Sequence, residues 1–136
     1  MKMRVEVKGI KELEKELDRV AQEMRDSLNM GTVDAAEATA STIRRHAPGK
    51  ISEAVATKPL PRKSNYPEVT MVGVDFFKAP HSHLVEFGTG PRYHASGKYV
   101  GQMPADPFFR RSIDEARGTI KNTIRDRAKE PIDRRR

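Results

Sequence analysis

The chain reads as an α+β protein: a small antiparallel sheet packed against a long helix pair and a C-terminal amphipathic helix. Three observations predict this. Apolar residues recur at steps of three and four along residues 10–28, 33–47 and 109–128, which gives each stretch one buried helical face. Between the second and third stretches the pattern changes to short apolar or alternating runs bounded by proline and glycine, as strands require. The length of 136 residues suits one core and one domain, with residues 1–128 as the domain and 129–136 as a basic tail.

Taken in order, Met3, Val5 and Val7 alternate with Lys2, Arg4, Glu6 and Lys8. That alternation predicts a half-buried edge strand. Ile10, Leu13, Leu17, Val20, Met24 and Leu28 then mark the clearest helix. Asn29-Met30-Gly31 is expected to end it, and Thr32 to cap a second helix carrying Val33, Ala36, Ala40, Ile43 and Ala47. The two form an antiparallel pair in this reading, with the alanines allowing close approach, and Pro48-Gly49 stops the second. Ile51 to Thr57 reads as a strand, Pro59 to Asn65 as a flexible connection, and Val69 to Val74 as a second strand that is apolar on both faces and therefore central. Residues 84–87 are too short for periodicity to decide between a strand end and a helical turn. Pro91 to Gln102 is a long loop or a hairpin, with Tyr93 and Tyr99 on either side of Gly97.

Two segments stand out. His-Leu-Val-Glu-Phe-Gly-Thr-Gly-Pro-Arg at 83–92 is an apolar run stopped by Gly88, where a positive φ allows a sharp turn. Met-Pro-Ala-Asp-Pro-Phe-Phe-Arg-Arg-Ser at 103–112 looks like a helix start, with Asp106 as N-cap and Pro107 at the first helical position. Phe109, Ile113, Ala116, Ile120, Ile124 and Ala128 follow on one face. Phe108 points about 100° away from Phe109, so one ring packs in the core while the other meets a neighbour.

The order Glu86-Phe87-Gly88-Thr89, then Asp106-Pro107-Phe108 up to Arg110, then a terminal amphipathic helix, resembles the neck proteins of long-tailed bacteriophages and prophages. These are the tail-completion, or minor tail, family that joins head to tail. The family also opens on a short strand and a glycine–hydrophobic pair, matched here by Val5 to Ile10. The resemblance spans about residues 3–128, and the chain departs from shorter members by the insertion Pro91 to Gln102. It implies a structural virion protein with no catalytic role and no cofactor. Its partners would be further copies of itself in a ring, together with the head connector and tail proteins. It would be found in the host cytoplasm during assembly and then in the virion neck or tail. A tail terminator of the same assembly is the near alternative.

Composition narrows the other classes. There is no cysteine, which removes thiolate catalysis, disulfides and cysteine-based zinc sites. No apolar run approaches the ~20 residues that span a bilayer, so no membrane partner is expected. The net charge is +7, and residues 110–136 hold ten basic against five acidic side chains. Lys121, Arg125, Arg127, Lys129, Arg134, Arg135 and Arg136 are therefore the candidates for weak, sequence-independent contact with DNA in a channel. The alternative is a solvated basic face.

The remaining constellations are weak. His81, His83 and His94, helped by Asp75 or Glu86, are the one conceivable metal set, and no recognised spacing supports it. They define the rival reading, a small basic nucleic-acid-binding or nuclease-like protein. Glu86 is the lone acid in an apolar run. It reads either as a general base or, more simply, as a carboxylate held by an arginine or by backbone N–H groups. Gly88-Thr89-Gly90 lacks the lysine and helix of a phosphate-binding loop, and Arg44-Arg45-His46 with Lys50 suits a helix C-terminus.

Overall fold

A helix of 37 residues, α1 (Ile10–His46), runs the length of the protein, about 55 Å at the usual rise. The computed structural model describes residues 8–60 and 69–135. The strand expected at residues 3–7, the middle of the connection after Pro59, and Arg136 lie outside the described residues. After α1 come a 3-10 turn (Gly49–Ala54), β1 (Val55–Pro59), β2 (Thr70–Val74), a short helix α2 (Ser82–Phe87), a hairpin of β3 (Arg92–Tyr93) and β4 (Tyr99–Gly101), and α3 (Phe108–Asp133). The architecture is α+β, as the sequence predicts.

The expected helix pair at 10–28 and 33–47 is one unbroken helix. Gly31 does not stop it. A Cβ there would lie 3.1 Å from Cβ of Arg127 and 3.5 Å from Cα of Ile124, so the glycine lets α3 approach closely. Thr32 does not cap, because its hydroxyl donates back to the Asn29 carbonyl at 2.8 Å inside the helix. The antiparallel partner of α1 is α3. Arg45 faces Glu115, Asp34 faces Arg127 and Glu16 faces Arg135 along the pair.

The interface between them is small-residue packing. Gly31, Ala35, Ala36, Thr39, Ala40 and Ile43 are buried on α1, against Phe108, Ser112 and Ala116 on α3. Its hydroxyls are satisfied locally: Thr39 donates to the Ala35 carbonyl at 2.7 Å and Ser112 to the Phe108 carbonyl at 2.6 Å. Burial therefore leaves no side-chain nitrogen or oxygen unpaired among the described residues.

β1 and β2 pair antiparallel, with Val55 opposite Val74 and Pro59 opposite Thr70. The strand expected from Ile51 begins only at Val55, because Ile51 and Ser52 close turn bonds to Pro48 and Gly49. Among the described residues β2 has β1 as its single neighbour. The core of Ala40, Ile43, Ala47, Val55 and Phe108 lies where the C-terminal end of α1, the sheet and the start of α3 converge.

Of the tail expected at 129–136, residues 129–133 belong to α3. Pro131 is buried within the helix, and Arg135 folds back onto α1. Ile132, next to Pro131, is half exposed.

Candidate functional site

The two distinctive segments meet in one structural unit. Residues 84–87 are helical, and α2 ends on Gly88 with φ 73° and ψ −178°, a conformation open essentially to glycine alone. The carbonyl of Val85 accepts from the Asp106 N–H at 2.8 Å. Thr89 binds Met103 twice: its N–H donates to the Met103 carbonyl at 2.9 Å, and its hydroxyl accepts from the Met103 N–H at 3.0 Å. A Cβ on Gly88 would lie 2.7 Å from the Ala105 nitrogen and 2.8 Å from the Met103 oxygen, so the second segment runs against bare backbone.

Glu86 closes this unit. Its carboxylate accepts from the backbone N–H of Phe109 at 2.8 Å and of Arg110 at 3.1 Å. These are free donors in the first turn of α3, where negative charge also suits the helix dipole. Glu86 thus satisfies free N–H groups of α3 from another helix, in line with the simpler sequence reading of a carboxylate held by backbone N–H groups.

Asp106 does not cap α3. The helix starts one residue later than its sequence suggests, because the Pro107 carbonyl takes the first intrahelical bond, from the Arg111 N–H at 3.0 Å. Pro107 is therefore the N-cap rather than the first helical residue, and it has no side-chain acceptor. Asp106 stands outside and pairs with Arg111 at 3.1 Å. Phe108 is fully buried, while Phe109 is partly buried against the core. Phe87, next to the cap, is exposed.

The unit adjoins open apolar surface. A cleft of about 250 Å³ is lined by Val74, His83, Glu86, Phe87, Phe108 and Phe109. A groove of about 380 Å³ between α1, β2 and α3 is lined by Ala36, Val72, Phe109, Ile113, Ile120 and Ile124, among others. The insertion at 91–102 is a hairpin in which Tyr93 and Tyr99 pack edge to face at 5.5 Å.

The basic candidates divide into two groups. Arg127 is committed to Asp34 at 2.6 Å and Glu130 at 3.2 Å, and these partners raise its pKa, Asp34 most. Arg134 leans on Glu130 at 3.6 Å, and Arg135 bridges Glu16 and Glu23. Lys121, Arg125 and Lys129 are exposed on α3 and make no ion pair among the described residues. At the end of α1, Arg45 and His46 both hold Glu115, at 2.9 and 2.6 Å, and Arg44 donates to the Val55 carbonyl at 3.1 Å. His46 and then Arg45 hold the Glu115 carboxyl below the usual carboxylate range.

His81 and His83 are exposed at the start of α2, and His94 lies in the hairpin. Among the described residues no three histidine or carboxylate side chains converge as a metal site would require. Sequence reasoning passed over the cap partner of Glu86, which no local pattern reveals, and the exposed Phe77, whose neighbour Phe76 drew no attention either. Comparison with protein-family models, with curated proteins and with solved structures gives no match.

Proposed function

We propose that this chain is a structural subunit of a phage neck, a tail-completion protein that forms a ring between head connector and tail. One observation carries the reading beyond the resemblance of its motifs: large apolar side chains are exposed at both ends of an elongated molecule. Ile10, Leu13 and Leu17 continue the apolar spacing of α1 toward its N-terminal end and are exposed, Leu13 at 60%. At the other end Phe76, Phe77 and Phe87 project, Phe77 at 94%. Leu17 and His46 are separated by about 43 Å of helix. Two unlike apolar patches so far apart suit head-to-tail contact between copies, and such contacts close into rings when the rotation per subunit permits. The interlocked unit around Glu86 supports the reading in a second way, since it gives the two motif segments one structural reason for their order.

The test is an assembly experiment with connector and tail tube present, because a free subunit of this kind can stay monomeric without its template. Electron cryomicroscopy of the assembled neck should show the chain as a closed ring. A Leu13→Asp/Leu17→Asp variant should fold, by its circular dichroism melt, yet fail to join particles. Incorporation of that variant at full occupancy, or a single copy of the chain per particle, would sink the proposal.

A further inference from the structure

α3 carries a row of cations on its outer face. Arg117, Lys121, Arg125 and Lys129 follow one another at intervals of four residues, and all are exposed. Each step rises about 6 Å, so the row covers about 18 Å. Arg117 leans on Asp114 at 3.3 Å, while Lys121, Arg125 and Lys129 have no carboxylate partner among the described residues. Asp126 lies about 100° round the helix from Arg125, and Asp133 ends the row.

A second feature lies beside it. Gly118 is exposed in the interior of α3, and a Cβ built there would touch nothing within 4 Å. Glycine destabilises a helix interior relative to alanine. Nothing within the described chain requires its small size, unlike Gly31, which α3 overlies. Asn122, one turn on, is likewise exposed and neutral, and Asp114 and Asp126 bound this line at either end. A bare stretch of backbone beside unpaired cations fits an anionic polymer lying close along the helix.

We propose that this face of α3, through Lys121, Arg125 and Lys129 with Arg117 at its edge, binds the phosphate backbone of nucleic acid without reading sequence. A duplex presents one negative charge about every 1.7 Å of axis, a far denser array than an acidic helix offers. Arg134 and Arg135 are not the contact, since they are held by Glu130, Glu16 and Glu23. The inference goes beyond the neck reading, and the two fail separately: one in assembled particles, the other in solution with DNA alone.

Fluorescence anisotropy of the full chain with two unrelated duplexes, across a salt series, is the test. Both duplexes should bind alike. The slope of log affinity against log salt should shrink by about 2.7 in Lys121→Gln/Arg125→Gln/Lys129→Gln, from three lost phosphate contacts. Arg134→Gln/Arg135→Gln should change that slope by less than about 1 while lowering the melting midpoint. Gly118→Leu should raise the midpoint and weaken binding several-fold; unchanged binding would remove the close backbone approach. Equal binding by the triple variant and the unaltered chain would overturn the proposal. So would tighter binding of polyglutamate than of duplex, which would make the partner an acidic protein.

Discussion

Around Ile43 and Phe108, α1 and α3 meet through buried carbon, with the sheet and the Glu86 unit closing over them. Around Glu16, Glu23 and Arg135, the same two helices meet through charge at half-exposed positions. Burial at the first end is insensitive to salt. Ion pairs at the second are screened by it, and exposed pairs of this kind contribute little even in dilute buffer. The helix hairpin is thus firmly closed at one end and loosely latched at the other. The loosely latched end is also where Ile10, Leu13 and Leu17 of α1 are exposed.

The contrast can be broken most directly at Phe108. Phe108→Ala should cost about 3–5 kcal/mol in chemical denaturation, from lost burial and the cavity left behind. Leu17→Ala, at one of these exposed positions, should stay within about 0.5 kcal/mol. Comparable losses at the two sites would abolish the distinction. Next comes Gly88→Ala, with an expected cost of about 2–4 kcal/mol from the forbidden backbone angle and the approach of residues 103–105.

Glu86→Ala should cost about 1–2 kcal/mol as a lost cap, and Asp106→Ala less than about 0.5 kcal/mol. The reverse order in paired urea melts would restore Asp106 as the cap.

Two smaller effects probe the latched end. Arg135→Gln should lower the melting midpoint in dilute buffer, and the difference should fade near 1 M salt, where screening reaches about 3 Å. A difference that persists at high salt would mean that Arg135 packs rather than pairs. The pH response follows from Glu23, whose carboxyl Arg135 holds below the usual range, with Arg19 adding to the effect. A folded-state pKa below the unfolded one stabilises the fold above about pH 4.3, and the contribution is lost as pH falls through the folded value. Carboxyl NMR titration should show Glu23 moving up toward the ordinary value in Arg135→Gln. No movement would remove Arg135 as the cause.

The helical periodicities were legible in the sequence, and at 36–43 and 108–116 they mark a face that is buried, while Ile10, Leu13 and Leu17 keep the same spacing on an exposed one. The break at Gly31 was misread because a glycine that ends a helix and one that admits a neighbouring helix look alike locally. What separates them is Arg127 and Ile124, nearly a hundred residues away. Asp106-Pro107 failed for the same reason: the helix start has its acceptor in Glu86, and a distant carboxylate made the local one redundant. The basic residues were legible as a set but not in their division. Only the fold shows that Arg127 and Arg135 face acids on α1 while Lys121, Arg125 and Lys129 face outward.

The pairing of α1 with α3 also sets an order on synthesis. α1 is made first and its partner last, with residues 47–107 between them. At about 5–20 residues per second, the ribosome needs roughly 3–12 s to cross that interval. Throughout it the nascent helix lacks α3, and the sheet is the partner it has for its alanine-lined seam. A chain truncated before α3 would leave uncovered the part of that seam which α3 buries. Quality control in the producing cell therefore has a simple cue: a subunit that has lost its end cannot hide its beginning.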